Sequence, residues 1–288
     1  MPAPSTKMVP ILPAVVAPAI IAVAPNGARK LKADHPAVPL SADELGRCAA
    51  LCQDAGAAMI HLHVRQADGR HSLDTDLYRA AIIAVRREAG DDIIIQATSE
   101  AAGIYNRHEQ MAAMRALMPE ACSLAIREIV PDAQAETEAA AFLAELHQAG
   151  VMMQYILYSD SDLHRFHDLK ARGIVPGEKH SVLFVLGRYS AGQRSEPSDL
   201  LPFLHDWSGA DGAFAVCAFG PKESACALAA LGLNGHARIG FENNILLSDG
   251  SVAADNAALV RQTVQHAGLM GRAIADARMA RGVLAALR

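Results

Sequence analysis

The sequence predicts a single-domain (β/α)8 barrel, and three observations predict it. Strand-like and helix-like segments alternate in eight units along the chain. The strand-like segments are apolar enough to be buried on both faces, as in a parallel sheet covered by helices. The turn after the first strand, Ala24-Pro25-Asn26-Gly27-Ala28, lacks the GxGxxG pattern an open dinucleotide-binding sheet would want there. The length of 288 residues suits eight such units, which take about 250 residues.

The predicted strands are 19–24, 58–64, 92–98, 121–126, 152–157, 181–186, 212–218 and 236–241. Helical patterns lie between and after them, at 42–55, 75–89, 107–117, 135–149, 160–172, 198–206, 222–233 and 255–270, with a last helix at 272–286. Local signals support the boundaries. Ser41-x-x-Glu44 is a capping box, and Asn106-x-x-Glu109 is a variant of it. Asp74 and Ser159 are N-caps, and Pro221 suits a first helical position. Gly150 and Gly173 end their helices before the next strand. No linker or repeat interrupts the series, so residues 17–288 read as one barrel with a C-terminal helix.

Residues 1–16 read as a loosely held extension. Lys7 and the apolar run after it superficially resemble a signal peptide, but Pro10, Pro13 and Pro18 disfavour a helical segment or a membrane span. The five cysteines are scattered, with none in CxxC spacing, which suits reduced thiols and a cytoplasmic protein. Cys48 and Cys52, one helical turn apart, suit packing. A net charge of −5 without a long basic run argues against nucleic acid.

The chemistry centres on Ala57-Ala58-Met59-Ile60-His61-Leu62-His63-Val64-Arg65. A lone core His is usually a hydrogen-bonded structural residue. Two His at i and i+2 on a strand point to one face, and paired imidazoles at a strand end can bind a divalent metal. A barrel carries its active site at the C-terminal strand ends. The eighth strand, His236-Ala-Arg238-Ile-Gly240-Phe-Glu242-Asn243-Asn244, alternates Arg238, Gly240 and Glu242 onto one face. Closure places this strand two positions from the second, so Glu242 can complete a set of two His and one carboxylate with an open position, as in catalytic zinc. Alone, Glu242 would read equally well as a solvated loop carboxylate. Arg238 would then be a buried cation needing a carboxylate or an anionic substrate.

His61-Leu-His63-Val-Arg65 with Asp68-Gly69-Arg70, Val185-Leu186-Gly187, and Arg238-Ile-Gly-Phe-Glu242-Asn-Asn244 resemble the β-keto acid cleavage enzymes over nearly the whole chain. The resemblance implies a zinc-dependent barrel that converts a β-keto acid and acetyl-CoA to acetoacetate and a new acyl-CoA by Claisen and retro-Claisen chemistry. It implies that His61, His63 and Glu242 hold Zn2+, which acts as a Lewis acid on an enolate, and that Arg238 supports the charged intermediates. Thr98 and Ser99 match a polar pair that contacts substrate. A homo-oligomer is expected.

The sequence departs from the family pattern in two places. An acidic residue directly after the ligand Glu, assigned to base chemistry, is here Asn243, and an amide cannot serve as a base at neutral pH. Glu100, at the end of the third strand, is the preferred substitute. Glu128, beside Arg127, is second, and either Glu reads equally well as an ion-pair partner of Arg127 or Arg238. Where members taking an amino substrate resemble Gly-Ala-Glu, this chain has Gly27-Ala28-Arg29. Arg29 is expected to select an anionic or polar substrate tail, unless it faces solvent or ties down its loop. Coenzyme A needs cationic or backbone donors. Arg188 and Arg194 after the sixth strand and Lys222 after the seventh are candidates. The competing readings are another metal-dependent barrel hydrolase, a class II aldolase-like lyase, or a non-catalytic relative that binds CoA or keto acid. A two-metal hydrolase is disfavoured because the first strand carries no His and because His180 and His236 lie near strand starts.

Overall fold

In the computed structural model residues 17–287 are described. The expected extension over 1–16 lies outside them, as do Lys7, Pro10 and Pro13. The barrel strands are β1 (Ile21–Val23), β2 (Met59–Leu62), β5 (Ile94–Thr98), β6 (Ala121–Ala125), β7 (Met152–Leu157), β8 (His180–Leu186), β9 (Gly212–Ala218) and β10 (His236–Ile239). They close in the order β1-β10-β9-β8-β7-β6-β5-β2, every pair parallel. Two-residue strands β3 (Val64–Arg65) and β4 (His71–Ser72) form an antiparallel hairpin beyond β2.

The helices follow the alternation read from the sequence: α1 (Ala42–Asp54), α2 (Thr75–Ala89), α3 (Arg107–Leu117), α5 (Glu136–Gln148), α6 (Asp160–Ala171), α7 (Leu201–Asp206), α8 (Glu223–Gly232), α9 (Asn256–Leu269) and α10 (Ala277–Ala285). A single-turn helix, α4 (Ile126–Ile129), starts directly from the end of β6. Both capping boxes form, on Ser41 with Glu44 and on Asn106 with Glu109. They satisfy N–H groups that the helix itself leaves unpaired. Asp74 and Ser159 cap as expected. Pro221 does not occupy the first helical position. It sits in the turn before Lys222, which is the N-cap of α8.

Strands and helices pack through one large apolar core between the barrel wall and the helical layer. A smaller cluster closes the floor. There Ala277, Ala280 and Leu284 of α10 pack on Ile20, Met59 and Ile94. Ala19 holds this end by pairing with the backbone of Ala273 and Ala275. The apolar face of α10 is therefore spent on the barrel's own floor. Among the described residues no helix is long and apolar enough to cross a membrane.

Two strand ends differ from the sequence reading, and both differences shape the site. The second strand leaves the barrel after Leu62, so His63 lies between β2 and the hairpin. The eighth barrel strand stops at Ile239. Gly240 there adopts φ +134°, and a Cβ would lie 2.4 Å from the carbonyl oxygen of Ala24. The chain then turns, with the N–H groups of Asn243 and Asn244 both donating to Gly240 O. Glu242 is thus delivered by a turn, not by strand alternation.

Candidate active site

The ends of all eight barrel strands bring residues to the C-terminal mouth. Nε2 of His61 lies 3.1 Å from Nε2 of His63. Oε2 of Glu242 stands 3.8 Å from His61 Nε2 and 3.5 Å from His63 Nε2. Both imidazoles are buried, and the Glu242 side chain is only 11% exposed. Backbone contacts hold these groups. Glu242 N–H donates to Ala24 O at 3.1 Å. Gly27 packs so closely under the carboxylate that a Cβ there would lie 2.5 Å from Glu242 Cγ. Arg65 donates to the carbonyls of Asn26, Gly27, Lys30 and Gly69, tying the loop after β1 to the β3–β4 hairpin.

The donor set fits a divalent metal. One ligand atom from each of His61, His63 and Glu242 lies within 4.8 Å of the others. Glu242 Oε2 is buried without a hydrogen-bond partner, although carboxylate oxygens are costly to leave unpaired. His61 Nδ1 is 2.7 Å from Gln96 Oε1, an oxygen that can only accept. Nδ1 therefore carries the proton and Nε2 presents a lone pair, the tautomer a metal requires. Burial and the nearby Arg238 charge push the His61 pKa well below its ordinary value, so the ring is neutral. Two His nitrogens and one carboxylate suit zinc and leave a coordination position open.

Arg238 Nη2 donates to Glu242 Oε1 at 3.2 Å and to Cys217 Sγ at 3.2 Å. Burial opposes ionisation of Glu242, but the Arg238 guanidinium outweighs it and holds the carboxyl well below the usual range. Glu100 Oε2 stands 3.6 Å from His63 Nε2, and its other oxygen lies 3.5 Å from Arg188 Nη2. Arg188 also lies over the Phe219 ring, 5.2 Å from its centroid.

These groups line two adjoining spaces. A small cavity of about 20 Å³ is bounded by His61, Thr98, Ser123, Glu128, Arg238 and Tyr158, among others. A cleft of about 260 Å³ is bounded by Gly27, Arg29, Lys30 and Gln193. Glu100, Arg188, Phe219 and Glu242 border both. Thr98 Oγ1 accepts from Ser123 Oγ and from the N–H of Glu100, fixing the start of the loop that carries Glu100. Ser99 lies behind this wall and donates to Ser123 O. Glu128 accepts from the N–H of Ala101, and burial pushes its carboxyl up to about 7.

The remaining sequence candidates lie elsewhere. Asn243 spends its amide on Glu223 Oε1 (3.1 Å) and Arg238 O (3.3 Å), while its oxygen accepts from Cys217 Sγ. Lys222 is exposed and paired with both oxygens of Glu196 at 2.6 Å. Arg194 is exposed in the loop after β8. His180 and His236 sit at strand starts, as expected, with backbone partners Pro176 O and Ile20 N–H.

Sequence reasoning missed Gln96, Glu223 and the anchoring role of Arg65. Gln96 announced itself as the one amide in an otherwise apolar Ile93-Ile94-Ile95-Gln96-Ala97 run. Glu223 gave no such signal, because an acid in the first turn of a helix ordinarily faces solvent.

A closed parallel barrel with two buried His and one carboxylate clustered at its C-terminal mouth has the architecture of a barrel enzyme, with a donor set that fits a divalent metal. The profile of the beta-keto acid cleavage enzymes matches residues 18–285, and the chain belongs to that family. It is 30% identical over 274 residues to a 3-keto-5-aminohexanoate cleavage enzyme of Fusobacterium nucleatum, covering 92% of this chain and 97% of that one. It is 27% identical to a 3-oxoadipate:acetyl-CoA acetyltransferase of Cupriavidus necator, covering 93% and 94%. Among solved structures, apo ObcA superposes with a TM-score of 0.70 at 15% identity, over 86% of this chain. The chain spans 65% of ObcA's length, and that likeness is one of fold.

Proposed function

We propose that the protein transfers acyl groups between a β-keto acid and acetyl-CoA, yielding acetoacetate and a new acyl-CoA, with Zn2+ held by His61, His63 and Glu242. The observation that carries this reading is the meeting of that ligand set with a second carboxylate, Glu100, and a buried cation, Arg238, at one cavity. When bound, the metal supplies Lewis acidity that favours negative charge on the keto oxygen.

The protein's own groups do the rest. Glu100 removes a proton from the carbon between the two carbonyl groups of the β-keto acid, the part an acid at position 243 would otherwise play. Glu128 is the second candidate, since a carboxyl titrating near 7 can both take and return a proton. Arg238 stabilises developing negative charge from a site that excludes water. Thr98 and Ser99 shape the substrate wall, Thr98 directly and Ser99 through Ser123. Arg188 lies deeper than a phosphate contact requires and suits a substrate carboxylate. The exposed Arg194 and Lys222 suit the phosphates of coenzyme A, with Lys222 exchanging Glu196 for phosphate. Asn243 holds the turn that presents Glu242.

Arg29 borders the cleft that opens onto Glu100 and Glu242. A cation there favours a β-keto acid whose tail carries a second carboxylate. The curated relative named for 3-oxoadipate acts on such a dicarboxylate. The test combines zinc-loaded protein, acetyl-CoA and β-keto acids with cationic, neutral and anionic tails, with acyl-CoA products read by mass spectrometry. Acetoacetate plus an acyl-CoA from the anionic substrate is expected, with the ranking shifted by Arg29→Glu. Ligand binding without any acyl-CoA from metal-loaded protein would instead support a non-catalytic relative.

A further inference from the structure

The inside of a (β/α)8 barrel is normally filled by layers of branched apolar side chains. Here a polar line crosses it. His61 Nδ1 meets Gln96 Oε1 at 2.7 Å, Gln96 Nε2 donates to Gln154 Oε1 at 3.3 Å, and Gln154 Nε2 donates to Ser181 Oγ at 3.3 Å. The line follows the strand register, with His61 beside Gln96 and Gln154 beside Ser181. Gln96 is 1% exposed and Ser181 is 6% exposed, while Gln154 between them is half-buried, so water offers little substitute at Gln96 itself.

An amide has a donor end and an acceptor end, so two amides in series have a direction. Read from His61, each amide receives at its oxygen and gives from its nitrogen, and the hydroxyl of Ser181 accepts at the end. Reversed, the line would aim an N–H at His61 Nδ1 and force the ring's proton onto Nε2. The other side of the ring agrees with the first direction. Nε2 of His61 and Nε2 of His63 are 3.1 Å apart, and His63 Nδ1 has no partner. With the His61 proton on Nδ1, its Nε2 carries a lone pair, so the 3.1 Å approach brings no two N–H groups head to head.

We infer that Gln96, oriented by Gln154, is a positioning residue that locks His61 in the Nδ1–H tautomer with Nε2 free for the metal. The inference rests on the metal reading of the site. Gln96 touches no reacting atom and acts only through the imidazole. Losing such an outer partner of a metal-binding His typically weakens metal binding by roughly 10- to 100-fold.

The experiment has two arms. In metal-free protein, long-range ¹⁵N NMR of the histidines should show His61 protonated on Nδ1, and Gln96→Leu should shift it toward the Nε2–H form. Zinc affinity, by competition with a chelator, should fall by roughly 10- to 100-fold in Gln96→Leu. Gln96→Glu, which restores an acceptor, should recover most of it, and Gln154→Leu should show a smaller loss. Thermal unfolding of the metal-free variants separates this from loss of fold. His61 in the Nε2–H form in the wild type, or unchanged zinc affinity in folded Gln96→Leu, overturns the inference. Failure of the wild type to bind zinc removes the metal reading instead, and the NMR arm still decides the role of Gln96.

Discussion

Glu242 and Glu223 are both buried carboxylates packed around the same turn, yet they are driven in opposite directions. Glu242 faces the Arg238 guanidinium at 3.2 Å and two imidazoles, and is held ionised. Glu223 is 2% exposed and meets only neutral donors: the N–H of Gly240 and the amides of Asn243 and Asn244. Burial pushes its carboxyl up to about 8, because three dipoles recover less than the lost hydration of a full charge. The difference separates two jobs. A cation keeps Glu242 charged, as the proposed ligand role requires, while neutral donors let Glu223 pin the turn that carries it.

The largest effect is expected from removing the charge that the first site is built to keep. Glu242→Gln should lose metal and cut turnover by about 10³-fold or more, the loss of several kcal/mol of Lewis-acid stabilisation. Metal content and kcat measured together test this, and full activity at normal zinc content would refute the ligand assignment.

Arg238→Met asks what the cation does for the fold. An unpaired buried carboxylate costs about 3–5 kcal/mol. Denaturant unfolding of the metal-free variant should show a loss of that order, and Glu242→Gln in the same chain should return part of it. Equal losses in single and double variants would mean that Arg238 does not compensate Glu242.

Asn243→Asp sharpens the contrast, since it restores the acid of the family pattern. Here it replaces the donor 3.1 Å from Glu223 with an acceptor. The expected result is a stability loss of about 1–3 kcal/mol and no gain in turnover. Faster turnover in a variant of undiminished stability would show that position 243 can still serve the chemistry.

The smallest effect is in pH dependence. Glu223 has an ordinary value of 4.5 and a folded value of about 8. Between them the folded state binds the proton that the unfolded state has released, so this group's contribution to stability falls as pH rises through that window. Glu223→Gln cannot titrate. Its Tm should fall less than the wild type's between pH 5 and pH 8, and parallel curves would show that Glu223 is ionised throughout.

Much of this was legible in the sequence because periodicity reports burial directly. The strand at 152–157, the helices at 75–89 and 107–117, and the capping residues Ser41, Asn106, Asp74 and Ser159 were placed as the structure has them. So were His61, His63 and Glu242 as one cluster, since strand order in a closed barrel follows chain order. The route of Glu242 was not legible. The alternation of Arg238, Gly240 and Glu242 pointed to a strand, but close contact with the backbone of Ala24 ends the strand and turns the chain.

The sequence by itself determined the barrel, its closure and the residue types at its mouth, because those follow from local patterns of apolar and polar side chains. Only the tertiary structure decided which polar groups face which. Asn243 belongs to Glu223, Lys222 to Glu196, Arg188 to Glu100, and Gln96 to His61. Each pairing joins residues from different elements that are far apart in the chain. Each depends on the angle of a side chain at a strand end or in a loop, which no spacing along the chain records.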